Sequence, residues 1–193
     1  MVAPAYAAVS ESLKVSAVVL VQPGEWNWQA WIIHQGTAGR YIAYPLSHEG
    51  SSSANLVGSY GPTLSISPDD RHLLEDQKTG SGDNFAELFT LKDGKFRLQI
   101  DPESGKPLSD RLLPFFRRTT GLSGDFYHYW VSWLGWEPDG QSVELLMSGH
   151  DLGEEYCADG WRAHFNIVTG RFFLTRDERI YNRRAIRPVN HHP

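Results

Sequence analysis

The chain has 193 residues, 40% hydrophobic and 21% charged, with a formal net charge of −5; this is the make-up of a globular protein with a sizeable core, and it argues against a disordered or membrane-spanning chain. Seven Trp, eight Tyr and nine Phe, with eighteen Gly and eleven Pro, suit short strands joined by tight turns better than a helical bundle. The negative charge repels a nucleic-acid backbone, so no nucleic-acid partner is expected, and the single cysteine, Cys157, excludes an intramolecular disulfide.

Residues 1–11 read as a flexible start. Ala3-Pro4-Ala5-Tyr6-Ala7-Ala8-Val9 resembles the small-residue end of a secretory signal without the basic and apolar regions that precede one. Met1 therefore either replaces a removed signal or heads an alanine-rich tail; the expected location is periplasmic or exported, with cytoplasmic as the alternative. No apolar run approaches the ~18 residues of a transmembrane helix, so membrane insertion is not expected.

A first unit, residues 13–46, contains strand-like runs at 13–22, 26–34 and 40–44, and a Ser/Gly/His-rich linker follows at 47–61. The second unit, 62–101, runs from Thr63 through the turn Ser67-Pro68-Asp69-Asp70 to a strand at 71–75, then a polar loop at 77–84. Strands at 85–91 and 95–100 flank Lys92-Asp93-Gly94, where Asp-Gly supplies a hairpin corner with positive φ. Residues 101–124 break the pattern: Ser109-Asp110 can cap a short helix that Pro114 interrupts, leaving Leu112, Phe115 and Phe116 beside Arg117 and Arg118.

The third unit, 126–176, opens on FYHYWVSWLGW, aromatic on both alternating faces and so covered on both sides. Pro138-Asp139-Gly140 turns into 142–147, a loop spans 148–160, and strands at 161–167 and 171–175 form a last hairpin. Arg176, Arg179, Arg183, Arg184 and Arg187 then read as a solvated, frayed tail that pairs with the acidic body, flexible over 182–193, with a nucleic-acid contact as the lesser alternative for this one segregated basic region.

The units share two marks. Two contain a Pro-Asp turn, and all three end a hairpin with glycine, a basic residue and an aromatic: Gly39-Arg40-Tyr41, Gly94-Lys95-Phe96 and Gly170-Arg171-Phe172. Glycine permits the left-handed exit from the turn and the aromatic packs between sheets. The interval from Pro68 to Gly94 is 26 residues and that from Pro138 to Gly170 is 32, which places six extra residues in the third unit's middle loop.

Strand, Pro-Asp turn, strand, loop, strand, short Gly turn, strand resembles the blades of TolB-type propellers, well over 63–100 and 131–175 and weakly over 13–45, which lacks Pro-Asp. Closed propellers take about four to eight blades. The expectation is one all-β domain with little helix, three antiparallel sheet units forming a partial, open propeller-like or wrapped sandwich fold. In size and possible export the chain is also similar to small all-β periplasmic immunity proteins that neutralise peptidoglycan-cleaving effectors of type VI secretion, a resemblance that carries over no residues.

The densest set of reactive side chains is His150-Asp151 to Asp159. Cys157 with His150 and Asp151 offers a nucleophile, base and orienting carboxylate, but one loop supplies all three and acidic neighbours work against thiolate chemistry. Asp151, Glu154, Glu155 and Asp159 offer calcium oxygens at a spacing that matches no calcium loop. Trp26, Trp28, Trp130, Trp133 and Trp136 form either a stacking platform or, more commonly, inter-sheet packing. No catalytic residue, metal or cofactor is therefore assigned.

The leading expectation is a non-catalytic inhibitor or immunity-type protein that binds a protein partner, such as a secreted effector enzyme, through loops on a rigid sheet scaffold. Its contact residues would be His150, Asp151, Glu154, Glu155, Tyr156 and Asp159, with Lys78, Ser81 and Asp83 from the 77–84 loop and Phe115 and Arg117 from the excursion. The alternatives are a hydrolase or lyase with a carbohydrate-like substrate, using the acidic loop and an aromatic cleft, and a scaffold that completes its propeller as a homodimer.

Overall fold

The computed structural model describes residues 4–10, 12, 14–21, 28–35, 39–47, 62–78, 83–122, 125–153 and 155–188. Ser81, Glu154, Trp26, most of the 47–61 linker and residues 189–193 lie outside them. Three four-stranded antiparallel meanders follow one another. The first is β1 (Pro4–Val9), β2 (Val15–Val21), β3 (Trp28–Gln35) and β4 (Tyr41–Pro45), side by side in that order. The second is β5 (Thr63–Ile66), β6 (His72–Lys78), β7 (Asn84–Lys92) and β8 (Lys95–Leu98). The third is β9 (Phe126–Trp136), β10 (Ser142–Asp151), β11 (Tyr156–Asn166) and β12 (Arg171–Phe173). The second and third fuse where β7 meets β9 in parallel at Asn84 and Trp130, and a short β13 (Ile186–Pro188) adds to β11. Two helices, α1 (Leu108–Thr120) and α2 (Arg176–Ala185), complete the described chain. Neither sheet closes on itself, so the fold is all-β, open and propeller-like.

The turns explain why the units repeat. In the second unit Asp70 takes φ 59° and donates its N–H to Ser67 O at 3.0 Å, while Asp69 Oδ1 accepts Arg71 N–H at 3.0 Å. In the third, Gly140 takes φ 67° and donates to Glu137 O at 2.8 Å, while Asp139 Oδ1 accepts Gln141 N–H at 2.8 Å. Asp is used because its short side chain closes the turn onto the backbone two residues on. The first unit has the same turn without its usual letters: Ser12 Oγ accepts Lys14 N–H at 3.2 Å, and Ser10 Oγ accepts Val15 N–H at 3.1 Å as Ser67 Oγ accepts His72 N–H at 2.9 Å. The three turns also touch in sequence, since Ser12 donates to Asp70 and Gly140 lies against Asp69. The hairpin exits behave as expected, with Gly39, Gly94 and Gly170 at φ 71°, 75° and 65°.

Alternation along the strands stacks the units. Val15, Ala17 and Val19 of β2 pack with Leu73, Phe89 and Phe96 of the second unit, forming one core layer. Leu74, Ala86 and Leu88, on the opposite face of β6 and β7, pack with Val143, Leu145, Met147, Trp161 and Phe165 of the third, forming the other. Trp133 and Trp136 pack against that second layer, the inter-sheet role. Asn84 ties units two and three, donating to Val131 O at 2.7 Å and to Asp76.

Four expectations need correction. Residues 4–9 are not a loose tail but β1, paired with β2. Residues 148–160 are not a loop, because β10 runs to Asp151 and β11 starts at Tyr156, with a turn at Leu152 and Gly153 between them; the extra residues of the third unit go into longer strands and the turn from Ile167 to Gly170. The helix survives Pro114, which removes one interior N–H and keeps its ring exposed, because Leu108, Leu112, Phe115 and Phe116 bury the other face. Ser109 adds to that hold: its hydroxyl donates to Ala86 O at 2.6 Å and accepts Ala86 N–H at 2.8 Å. Finally, the arginine-rich tail is an ordered helix, described below.

The strand extension depends on a bulge at Gly149, where the β9–β10 register shifts. Gly149 has φ 151°, and a Cβ there would lie 2.8 Å from Phe126 Cδ1 and 3.0 Å from His128 O. Gly149→Ala is therefore expected to lower unfolding free energy by about 2–3 kcal/mol, read by urea denaturation.

Candidate functional site

α2 starts where its sequence says a helix can start. Thr175 Oγ1 accepts Glu178 N–H at 3.2 Å and Glu178 Oε2 accepts Thr175 N–H at 2.5 Å, a reciprocal capping box. Glu178 Oε1 also receives His164 Nδ1 at 2.8 Å, and His164 Nε2 reaches Glu137 Oε1 at 2.8 Å. A ring that donates from both nitrogens is an imidazolium. Burial alone would lower its pKa, but the hydrogen bonds to Glu137 and Glu178 and their charges outweigh that, and the net shift is upward. One turn on, Asn182 donates to Arg162 O at 2.7 Å and accepts Arg162 N–H at 2.8 Å. The helix thus seats Glu178 on the His164 side chain and Asn182 on the backbone edge of β11 between β12 and β13, while Ala185 joins the second core layer.

The opposite face of α2 is exposed. Arg176, Ile180, Arg183 and Arg184 fall at the i, i+4, i+7 and i+8 spacing of one helix face, with Arg179 beside them. Among the described residues only Arg187 of the five clustered arginines makes an ion pair, at 3.4 Å to exposed Asp159. The expectation that the cluster neutralises itself on the acidic body is thereby corrected. Ile180 and Tyr181 stay 52% and 42% exposed; Tyr181 is held by Arg162, whose guanidinium carbon lies 4.3 Å from the ring centroid. Between α2 and β13 runs a groove of about 390 Å³ lined by Asp159, Asp177, Ile180, Tyr181, Arg184 and Arg187.

The structure does not bring the expected contact residues together, and of those described only Asp159 lines this groove. Asp151 is 4% exposed and accepts Tyr156 N–H at 3.0 Å, closing the hairpin turn, and Tyr156 is buried in the second core layer. Asp159 and Arg187 line the groove; Glu155 and Leu152 are exposed at the adjoining hairpin tip. His150 lies opposite Cys157 across β10–β11 and 5.5 Å, ring to ring, from His128. Lys78 sits over Trp130 at 5.6 Å, and Asp83 accepts Tyr129 N–H at 3.1 Å, so both fasten the 77–84 segment to β9. Phe115 is buried against Trp161 and Phe172, and Arg117 pairs with Asp125 at 2.9 Å.

A second cleft of about 710 Å³ separates α1 from the β11–β12 turn. Its central cation, Arg111, binds Asp101 and Gly170 O and stacks on Phe165 and Phe172, which makes it a structural clamp. Glu75 and Glu87 face each other across β6–β7, 2% and 1% exposed on the side of the first core layer, between units rather than in a cleft. Among the described residues no group of three or more His, Cys, Asp or Glu converges as a metal site, and no helix is long and apolar enough to cross a membrane.

Fold and site together define an all-β repeat protein, an open propeller-like stack of three four-stranded units with a basic helix clamped to β11. No family model and no curated protein matches the chain. Among solved structures it is similar to a periplasmic gluconolactonase of Pseudomonas aeruginosa, with 15% identity and a TM-score of 0.40 over 97% of this chain and 45% of that one. It is similar also to TolB from Acinetobacter baumannii, with 12% identity and a TM-score of 0.35 over 89% of this chain and 43% of that one. The chain spans under half the length of either, and the fold assignment rests on its own three meanders.

Proposed function

We propose that the chain is a non-catalytic protein-binding module of the exported inhibitor or immunity type, which engages its partner through α2, β13 and the adjoining tip of the β10–β11 hairpin. The observation that carries this reading is an exposed apolar pair, Ile180 and Tyr181, set among arginines on a helix that is capped and clamped to the sheet. Rigid presentation lowers the ordering cost of binding, and an aromatic or aliphatic anchor beside arginine is the composition of binding hot spots. In the hydrolase or lyase alternative Asp151 would have to leave its bond to Tyr156 N–H. A photo-reactive residue placed at Ile180 is expected to give one stoichiometric protein adduct in the source cell's envelope fraction, and the same residue at exposed Val168 none. Equal or absent labelling at both positions would sink the proposal.

A second reading is favoured by the far end of the stack. The outer face of the first sheet carries Val9, Ser16, Val18, Leu20, Trp31, Ile33, Tyr41, Ala43 and Pro45, and among the described residues of its strands no charged side chain shares that face. By repeat position, Ser16 corresponds to Leu73 and Val143, which pack onto the preceding unit. A second copy seated there would make the protein a dimer in light scattering, and Ile33→Glu would return it to monomer; a wild-type monomer at every concentration excludes the dimer.

A further inference from the structure

The exposed face of α2 carries more than a generic contact surface. Arg176, Arg179, Arg183 and Arg184 make no ion pair among the described residues, although the chain as a whole carries a net charge of −5. Arg183 and Arg184 stand in the last turn, where the helix dipole favours cations, but the other two oppose the helix's own stability. Arg176 and Arg179 stand in or next to the first turn, where the helix dipole disfavours cations, and Arg179 and Arg183 are like charges four residues apart. Asp177 and Glu178 offset part of this, but Glu178 is committed to His164 and the cap. The four cations surround Ile180, which is held out to solvent rather than turned to β11.

We infer that this face takes an acidic protein segment whose aliphatic or aromatic side chain enters the groove beside Ile180 and Tyr181, with its carboxylates on Arg176, Arg183 and Arg184. The inference rests on the protein-binding reading above and specifies its partner. Charge complementarity points to carboxylates on a compact partner, and the groove supplies the apolar anchor site. A phosphate backbone fits less well, because the positive face is only ten residues of helix long.

The test uses the full chain and three labelled probes: a Glu-rich peptide of about twelve residues with one central Leu, the same peptide with Gln for Glu, and a single-stranded oligonucleotide of equal charge. Fluorescence anisotropy is expected to show binding of the acidic peptide alone, weakened about tenfold when salt rises from about 0.05 to about 0.3 M. The triple variant Arg176→Glu, Arg183→Glu, Arg184→Glu should abolish binding, and Ile180→Ala should weaken it about five- to tenfold without changing the salt dependence. Circular dichroism and a melting curve verify that each variant is folded, and a Gln triple serves if the Glu triple is not. Tighter binding of the oligonucleotide, absence of peptide binding, or binding unaffected by the triple variant would overturn the inference. If the Ile180 cross-link nevertheless forms and is insensitive to the charge reversal, the partner is a protein of another character, and only the acidic specification fails.

Discussion

Phe116→Ala is expected to lower the free energy of unfolding by about 3–5 kcal/mol, the cost of emptying a fully buried aromatic site. Phe116 is 0% exposed and meets Trp161 and Phe126 edge-on, at 5.2 Å from each. Its removal strikes α1 in particular, because that helix has no side-chain N-cap and carries Pro114 inside it. Besides burial, Ser109 and the Arg111 clamp on Gly170 O hold it to the sheet. Urea denaturation followed by tryptophan fluorescence should show the loss, with exposed Arg118→Ala as a control expected to cost under about 1 kcal/mol. A Phe116→Ala cost as small as the control's would mean that α1 does not depend on this cluster.

His164→Ala is expected to cost about 3 kcal/mol below neutral pH, since it leaves Glu178 buried without its counter-charge. The pH dependence is the sharper signature. The folded-state pKa of His164 is raised above 6.5, so its contribution is fully present below that value and is lost as pH rises through the raised one. Wild-type stability should therefore fall as pH climbs above 6.5 through the raised pKa, and this component of the slope should vanish in His164→Ala. Because Glu178 also closes the capping box, helical signal should decline with it. A variant with the same pH slope as wild type would remove His164 as its source.

The repeat was legible in the chain because it is imposed locally. Gly39, Gly94 and Gly170 take positive φ, and the Asp69 and Asp139 side chains close their turns over two residues, demands that leave letters at fixed places. The first unit's matching turn was hidden because Ser12 fills the place of Asp69 and no proline marks it. The 150–159 stretch looked like an acidic loop because its charge obscured an alternation that turns Asp151, Tyr156 and Ala158 inward and Asp159 outward. α2 leaves no such local mark for a different reason. Its buried side is Glu178, Asn182 and Ala185, so it shows no apolar stripe of helical period, and its partners, His164 and the Arg162 backbone, lie 14 and 20 residues from the side chains they meet.

Turn chemistry and strand alternation were thus enough to establish an all-β chain of three units, since both act over a few residues and need no distant partner. Tertiary structure alone decided that β1 pairs with β2 and β13 with β11, that α1 runs through its proline, and that the arginines at 176–184 stand on a helix clamped to β11. Each of these is settled by contacts between distant segments: the paired edge of β2, the buried seat of Phe116, and a histidine on β11 that two carboxylates enclose. The candidate binding face belongs to this second group, because a run of arginines becomes a directed surface only once something holds the other side of the helix in place.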